Sequence, residues 1–258
     1  MSAARRRTHC SVSPDLLSSI RTVAETGSTN ADVLAALAAG EPMPEGSWLV
    51  ADRQSAGRGR QGRRWSDGAG NFMGSTVIRL GPGDPPAASF AFAAGLAVYE
   101  TVAPLLPDLA PLQLKWPNDV IHAGAKLAGI LLERAQDALV VGIGVNLASA
   151  PELPGRATLA IADLAPAPDR DFFAHALAAA LERERERWRS FGLDPLLRRW
   201  QAAAHARGTP LRVVPPGEQP LDGTYDGLEG DGALRLRLAD GSTRVMHAGD
   251  VFFADRKG

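Results

Sequence analysis

The residues able to do chemistry in this chain fall into four short segments. The first, Gly57-Arg58-Gly59-Arg60-Gln61-Gly62-Arg63-Arg64-Trp65, holds four positive charges in nine residues with no acid among them. Guanidiniums and backbone N–H groups on a glycine-rich loop suit a polyphosphate, and an indole such as Trp65 can stack on a base. Gly57, Gly59 and Gly62 satisfy G-x-G-x-x-G, but a dinucleotide site needs a helix directly afterwards, and Gly68 and Gly70 oppose one. A Walker loop fails because no Gly-Lys-Ser/Thr closes the segment. By residue type alone, polyphosphate binding and a solvated basic loop stay open.

The second segment is Lys115-Trp116-Pro117-Asn118-Asp119, followed by Lys126-Leu127-Ala128-Gly129. Pro117 stiffens the turn that carries Asn118 and Asp119, and an ordinary β-turn explains Asn118 equally well. Of 28 basic residues only Lys115, Lys126 and Lys257 are lysine. In so Arg-rich a chain, an internal lysine is either a chance survivor or a place where a compact ammonium is wanted and a planar fork is not. An ammonium at Lys126 would let a carboxylate and a phosphate approach each other. The third segment, Gly142-Ile143-Gly144-Val145-Asn146, sets glycines in an apolar strand, the mark of close approach by backbone or ligand. The fourth, Ser28-Thr29-Asn30 at a helix start, offers three small hydrogen-bonding side chains beside orphan backbone donors.

The elements that must position these residues can be read along the chain. Residues 1–20 are a polar tail. A helix follows Ser28, with Thr29 and Asp32 resembling a capping box and Gly40 closing it. Strands are expected at 47–51 and 72–80, a long loop at 54–71, and an Ala-rich helix ending near Val102. Strands at 112–116, 120–122, 126–134 and 138–146 are joined by turns too short for parallel crossovers, so the sheet is mainly antiparallel and the class α+β. The turn centred on Gln136 makes Lys126 and Asn146 near cross-strand partners, give or take a register slip, both at one sheet edge. Helices are expected at 171–190, with a solvated Glu-Arg face at 182–187, and at 195–206. Short strands after residue 208 read as a separate small β-barrel, giving a tail (1–20), a large domain (21–207) and a small one (208–258).

Composition excludes several classes. With 28 basic and 29 acidic residues the net charge is −1, so no global field draws the chain to nucleic acid or membrane. One cysteine, Cys10, excludes an internal disulfide framework and a Cys-built zinc site. The five histidines show no ligand spacing, and no G-x-S-x-G elbow is present. The longest apolar run stops at Glu100, short of a membrane span, and no signal-peptide core follows the N-terminal arginines; a cytoplasmic protein is expected.

Taken in order, Gly27-Ser28-Thr29-Asn30, Gln54 to Trp65, Lys115 to Asp119, Lys126 to Gly129 and Gly142 to Asn146 resemble the biotin–protein ligases. The resemblance is close over residues 22–147 and loose over the C-terminal strands. It implies a class II synthetase-like α+β domain with a C-terminal SH3-like barrel. It also implies a two-step reaction using ATP and Mg²⁺: biotin becomes biotinyl-5′-AMP, then passes to a lysine of the biotin carboxyl carrier protein of acetyl-CoA carboxylase. On that resemblance Ser28, Thr29, Asn30, Gln54, Arg58, Gly59, Arg60 and Lys126 hold biotin. Arg58, Arg60, Arg63, Trp65, Lys115, Asn118 and Asn146 face the nucleotide, with Mg²⁺ near Asn146. Lys126, Arg60 and Asp119 are the catalytic candidates. Only 27 residues precede Ser28, too few for the helix-turn-helix of the repressor members, so no specific DNA binding is expected. A homodimer is left open. The alternatives are a lipoate-type ligase on the same fold and a nucleic-acid module using the Arg loop, with steep salt dependence.

Overall fold

The computed structural model describes residues 19–66 and 68–253. Most of the 1–20 tail, with Cys10, and Lys257 lie outside that span. A seven-stranded sheet runs through the larger part of the molecule. Its strands are β1 (Ile20–Thr26), β2 (Trp48–Gln54), β3 (Phe72–Arg79), β4 (Leu112–Lys115), β5 (Asp119–His122), β6 (Ala125–Ala135) and β7 (Ala138–Val145), in the order β1-β2-β3-β7-β6-β5-β4. Every pairing is antiparallel except β1 beside β2. β1 was not expected: its burial is irregular, so no period-2 signal marks it, and Ile20 already pairs with Trp48.

The alternation along β7 divides the sheet into two faces. Leu139, Val141, Ile143 and Val145 point into the main core, whereas Ala138 and Val140 join a small cluster with Val33 of α1 (Thr29–Ala38). Gly142 and Gly144 continue that second face. The main core is closed by α2 (Phe90–Val102), α3 (Arg170–Phe191) and α4 (Leu193–Ala203). The stretch Ala87–Leu105, which contains α2, is long and apolar enough to cross a membrane. Phe90, Ala93, Ala97, Val98 and Val102 in it are wholly buried against this core.

The expectation about the α1 cap is corrected. Ser28, not Thr29, is the N-cap, and no side chain caps the helix; the Asp32 carboxylate accepts from Thr26 Oγ1 instead. The β6–β7 pairing is slipped by one residue from Lys126 opposite Asn146, within the slip expected, since Ala128 pairs with Val145 and the Asn146 N–H goes to the Leu127 carbonyl. Lys126 is drawn away by a second partner: its N–H and C=O bond Ala157 and Leu159 of the following connector. Lys126 and Asn146 nonetheless stay adjacent, with Asn146 Nδ2 3.4 Å from the Lys126 carbonyl.

The Glu-Arg run on α3 is also corrected. Glu184 is fully buried and is gripped by Arg187 at 2.6 Å and by Arg199 of α4 at 2.7 Å, so this face ties two helices together. α4 ends at Ala203, three residues early. The last strands are β8 (Pro210–Val214), β9 (Leu221–Leu228), β10 (Leu234–Arg237), β11 (Thr243–Met246) and β12 (Asp250–Phe253), in the antiparallel order β11-β10-β9-β8-β12. This sheet does not stand apart. Leu211, Val213, Tyr225 and Leu234 share the main core, and the Trp116 indole donates to the Gly232 carbonyl at 3.1 Å.

Candidate active site

The glycine-bearing face of the central sheet is the floor of a cavity of about 390 Å³. Ser28, Thr29, Asn30, Gln54, Arg58, Gly59, Arg60, Arg63, Trp65, Lys115, Asn118, Asp119, Lys126 and Asn146, the residues singled out from sequence, all line it. Its charged walls are Arg58, Arg60, Arg63, Arg64, Lys115, Lys126 and Arg156 against Asp119 and Asp250. Seven cations face two carboxylates in a chain of net charge −1. Such a concentration of field favours a polyanion.

The glycines are there because side chains occupy their missing Cβ positions. A Cβ on Gly142 would lie 2.3 Å from Asn30 Oδ1, and one on Gly144 would lie 2.3 Å from the Trp65 ring. A Cβ on Gly129 would lie 2.9 Å from Lys126 Nζ. Trp65 therefore lies against the strands at Gly129 and Gly144, with the Lys126 ammonium 5.6 Å from its ring centre and a buried indole N–H that has no partner.

At one end of the cavity, uncharged side chains form a hydrogen-bonding network that runs back to Glu133. Gln54 Oε1 accepts from the Thr29 N–H at 2.8 Å and lies 3.1 Å from Thr29 Oγ1. Thr29 Oγ1 is 2.7 Å from Ser75 Oγ, Ser75 donates to Asn30 Oδ1 at 2.5 Å, and Asn30 Nδ2 donates to Glu133 at 2.8 Å. Asn30 thus has both amide atoms engaged within the protein, which makes it a strut beneath the pocket. The sequence pointed to Thr29 and Asn30 but not to Ser75 or Glu133, which sit in ordinary strand patterns.

At the other end, Lys126 Nζ is 2.7 Å from Asp119 Oδ1 and Lys115 Nζ is 4.0 Å from Oδ2. Burial pushes the Lys115 ammonium below its ordinary range; Asp119 pulls it up, and Lys126 opposes that. Burial likewise lowers the Arg60 guanidinium, with Asp250 and Asp119 partly restoring it. Arg60 donates to Asn118 Oδ1 at 3.0 Å while Asn118 Nδ2 donates to the Ile130 carbonyl at 2.6 Å. Asn118 is thereby a fixed rest for Arg60. Asn146 Nδ2 bonds the carbonyls of Lys126 and Leu159, holding the connector across the strand edge.

The basic loop is folded back on itself and latched from the C-terminal sheet. Gly59 N–H bonds Arg63 O at 2.7 Å and Trp65 N–H bonds Gly57 O at 2.9 Å. Arg63 makes a two-pronged ion pair with Asp250 of β12, both contacts at 2.8 Å, and Arg156 lies 3.6 Å from the same carboxylate. Burial would raise the Asp250 carboxyl, but Arg63, Arg156 and Arg60 outweigh it and hold it below the usual range. Arg156 and Asp250 were missed because neither lies in a marked sequence segment. Phe252 and Phe253 of the same strand approach Lys115 Nζ, at 6.0 and 5.8 Å from their ring centres.

Among known proteins, the Biotin/lipoate A/B protein ligase family matches residues 26–148 and the Biotin protein ligase C terminal domain matches 212–254. The biotin–[acetyl-CoA-carboxylase] ligase of Paracoccus denitrificans is 39% identical over 243 residues, covering 90% of this chain and 99% of that protein. That of Mycobacterium tuberculosis is 41% identical over 235 residues, covering 89% and 86%. The fold is that of the Aquifex aeolicus biotin protein ligase solved with biotin and ATP, with a TM-score of 0.79 at 22% identity over 92% of this chain and 99% of that one. With matches at this identity along nearly all of its length, the chain belongs to the biotin protein ligase family.

Proposed function

We propose that this protein is an ATP-dependent ligase that activates biotin and transfers it to a lysine of the biotin carrier of acetyl-CoA carboxylase. The observation that carries this reading is the single cavity with a neutral hydrogen-bonding end and a cationic end. In the first step a biotin carboxylate oxygen attacks the α-phosphorus of ATP, the bond to the β,γ-phosphates breaks, and biotinyl-5′-AMP and pyrophosphate form. In the second, a carrier lysine attacks the acyl carbon; an amide forms and AMP leaves. The protein needs no nucleophile of its own, and its work is positioning and electrostatic stabilisation.

Biotin's ring would lie at the Thr29–Gln54 end and its carboxylate would reach Lys126. Lys126 stands between the incoming carboxylate and phosphate and screens their repulsion, while Asp119 holds its ammonium in place. Arg58 and Arg60 cover the adenylate and keep water from the mixed anhydride. Trp65 lies along the nucleotide base, and Lys115 and Arg63 complete the cationic wall. The donor set offers no cage for a divalent ion: Asp119 is bridged by Lys126, and no group of three acidic, His or Cys side chains occurs among the described residues. Mg²⁺ would arrive on the ATP phosphates, keep most of its waters and neutralise their charge.

Exchange of labelled pyrophosphate into ATP tests the first step. Exchange that depends on biotin supports the proposal, exchange with lipoate but not biotin moves the chain to lipoate-type chemistry, and no exchange with either overturns the adenylation step.

A further inference from the structure

We infer that Glu133, which no contact with a substrate requires, is the positioning residue that fixes the proton direction of the ring-binding end of the cavity. This rests on the reading that the cavity takes biotin. The argument is a count of protons along the chain Glu133–Asn30–Ser75–Thr29. An ionised carboxylate only accepts, so the Asn30 atom facing it at 2.8 Å must be the Nδ2 donor. The other end of that amide, Oδ1, then only accepts, and the Ser75 hydroxyl must place its one proton there. Ser75 Oγ has no proton left for Thr29, so the Thr29 proton goes to Ser75 Oγ at 2.7 Å or to Gln54 Oε1 at 3.1 Å, and in both cases it is spent inside the protein. The opposite direction, with Ser75 donating to Thr29, leaves the 2.5 Å Ser75–Asn30 contact without a proton. Gln54 Oε1 is already supplied by the Thr29 N–H.

The result is a cavity wall on which Thr29 Oγ1 offers a lone pair and no proton. That end therefore selects a ring that brings an N–H, and it gives no advantage to a ring with none, such as a dithiolane. Glu133 is half-buried on β6, and it acts only through Asn30 and Ser75. Gly142 is part of the same device, because its missing side chain is the space in which the Asn30 amide sits.

Glu133→Gln keeps the shape of the side chain but can accept or donate, so it removes the constraint without removing the contact. The expected result by titration calorimetry is a biotin Kd about tenfold weaker, the size of one charge-assisted hydrogen bond, with lipoate binding unchanged. The lipoate-to-biotin Kd ratio falls by the same factor. In the exchange assay KM for biotin rises while KM for ATP stays within about twofold, a split that general loosening of the fold would not produce. Ser75→Ala cuts the relay in its middle, and the double variant Glu133→Gln/Ser75→Ala should lose no more than the worse single one. Wild type that binds biotin alongside a Glu133→Gln protein with the same Kd ratio, or fully additive losses, overturns the relay and leaves the proposed function standing. Wild type that binds no biotin overturns both.

Discussion

On the proposed reaction, Lys126 is the side chain that stands between the two reacting anions. Its ammonium sits 2.7 Å from Asp119, and removing it both uncovers that carboxylate and leaves two approaching anions unscreened. Lys126→Ala should slow pyrophosphate exchange about 30- to 150-fold, corresponding to roughly 2–3 kcal/mol for a charged hydrogen bond. A rate within twofold of wild type would remove Lys126 from the chemistry. His205 makes a different prediction. It is buried against Tyr225 and Phe253 with neither ring nitrogen bonded, and burial, helped by Lys115, lowers its pKa from 6.5 to about 4. The unfolded chain takes up that proton first, so stability is lost as pH falls from about 6.5 towards 4. Urea titrations at pH 7.5 and 4.5 should show His205→Leu gaining about 2–3 kcal/mol relative to wild type at the lower pH. An unchanged difference between the two proteins would show that His205 titrates normally in the fold.

At the scale of elements, the site depends on how closely a loop and a helix can lie on β6 and β7. Gly144 is where the Trp65 indole touches the strand, and a methyl there would need the ring to move. Gly144→Ala should cost about 1–3 kcal/mol of binding or strain, a tenfold or greater loss in adenylate formation, with the sheet intact by circular dichroism. Full activity in that variant would show that Trp65 need not lie on the strand. The meander and its turns were legible because alternation and turn chemistry are local. The register was not: Lys126 pairs with the connector at residues 157 and 159, and no local pattern reveals a partner thirty residues ahead. The Glu-Arg run on α3 misled for a related reason. Its spacing suits solvent, but Arg199 arrives from α4 and Glu184 becomes the buried centre of a pair.

For the whole molecule, the consequence is that the C-terminal sheet forms part of the site. Asp250 and Val251 line the cavity, and Asp250 holds both Arg63 of the loop and Arg156 of the connector. Asp250→Ala should free the loop. Because Arg63 is 36% exposed, solvent screens the pair, and the expected loss is about 1 kcal/mol, or roughly fivefold in KM for ATP. Trypsin should cut within residues 57–66 faster in the variant, and equal cutting rates would show that the loop is held by its own turns alone. Since the three arginines keep the Asp250 carboxyl below its usual range, this latch should persist as pH falls through ordinary carboxylate values and open only at more acid pH.

The sequence alone determined which residues would come together around the cavity and on which strands and loops most of them sit. Glycine, proline, charge and period-2 signals act over a few residues and are written there directly. Tertiary structure alone decided that Asn30 faces inward onto Gly142, that Glu133 accepts from the Asn30 amide, and that Arg156 and Asp250 close over the loop. Those outcomes depend on through-space contacts between segments that packing brings together, and each such contact is a property of the pair and of neither residue by itself.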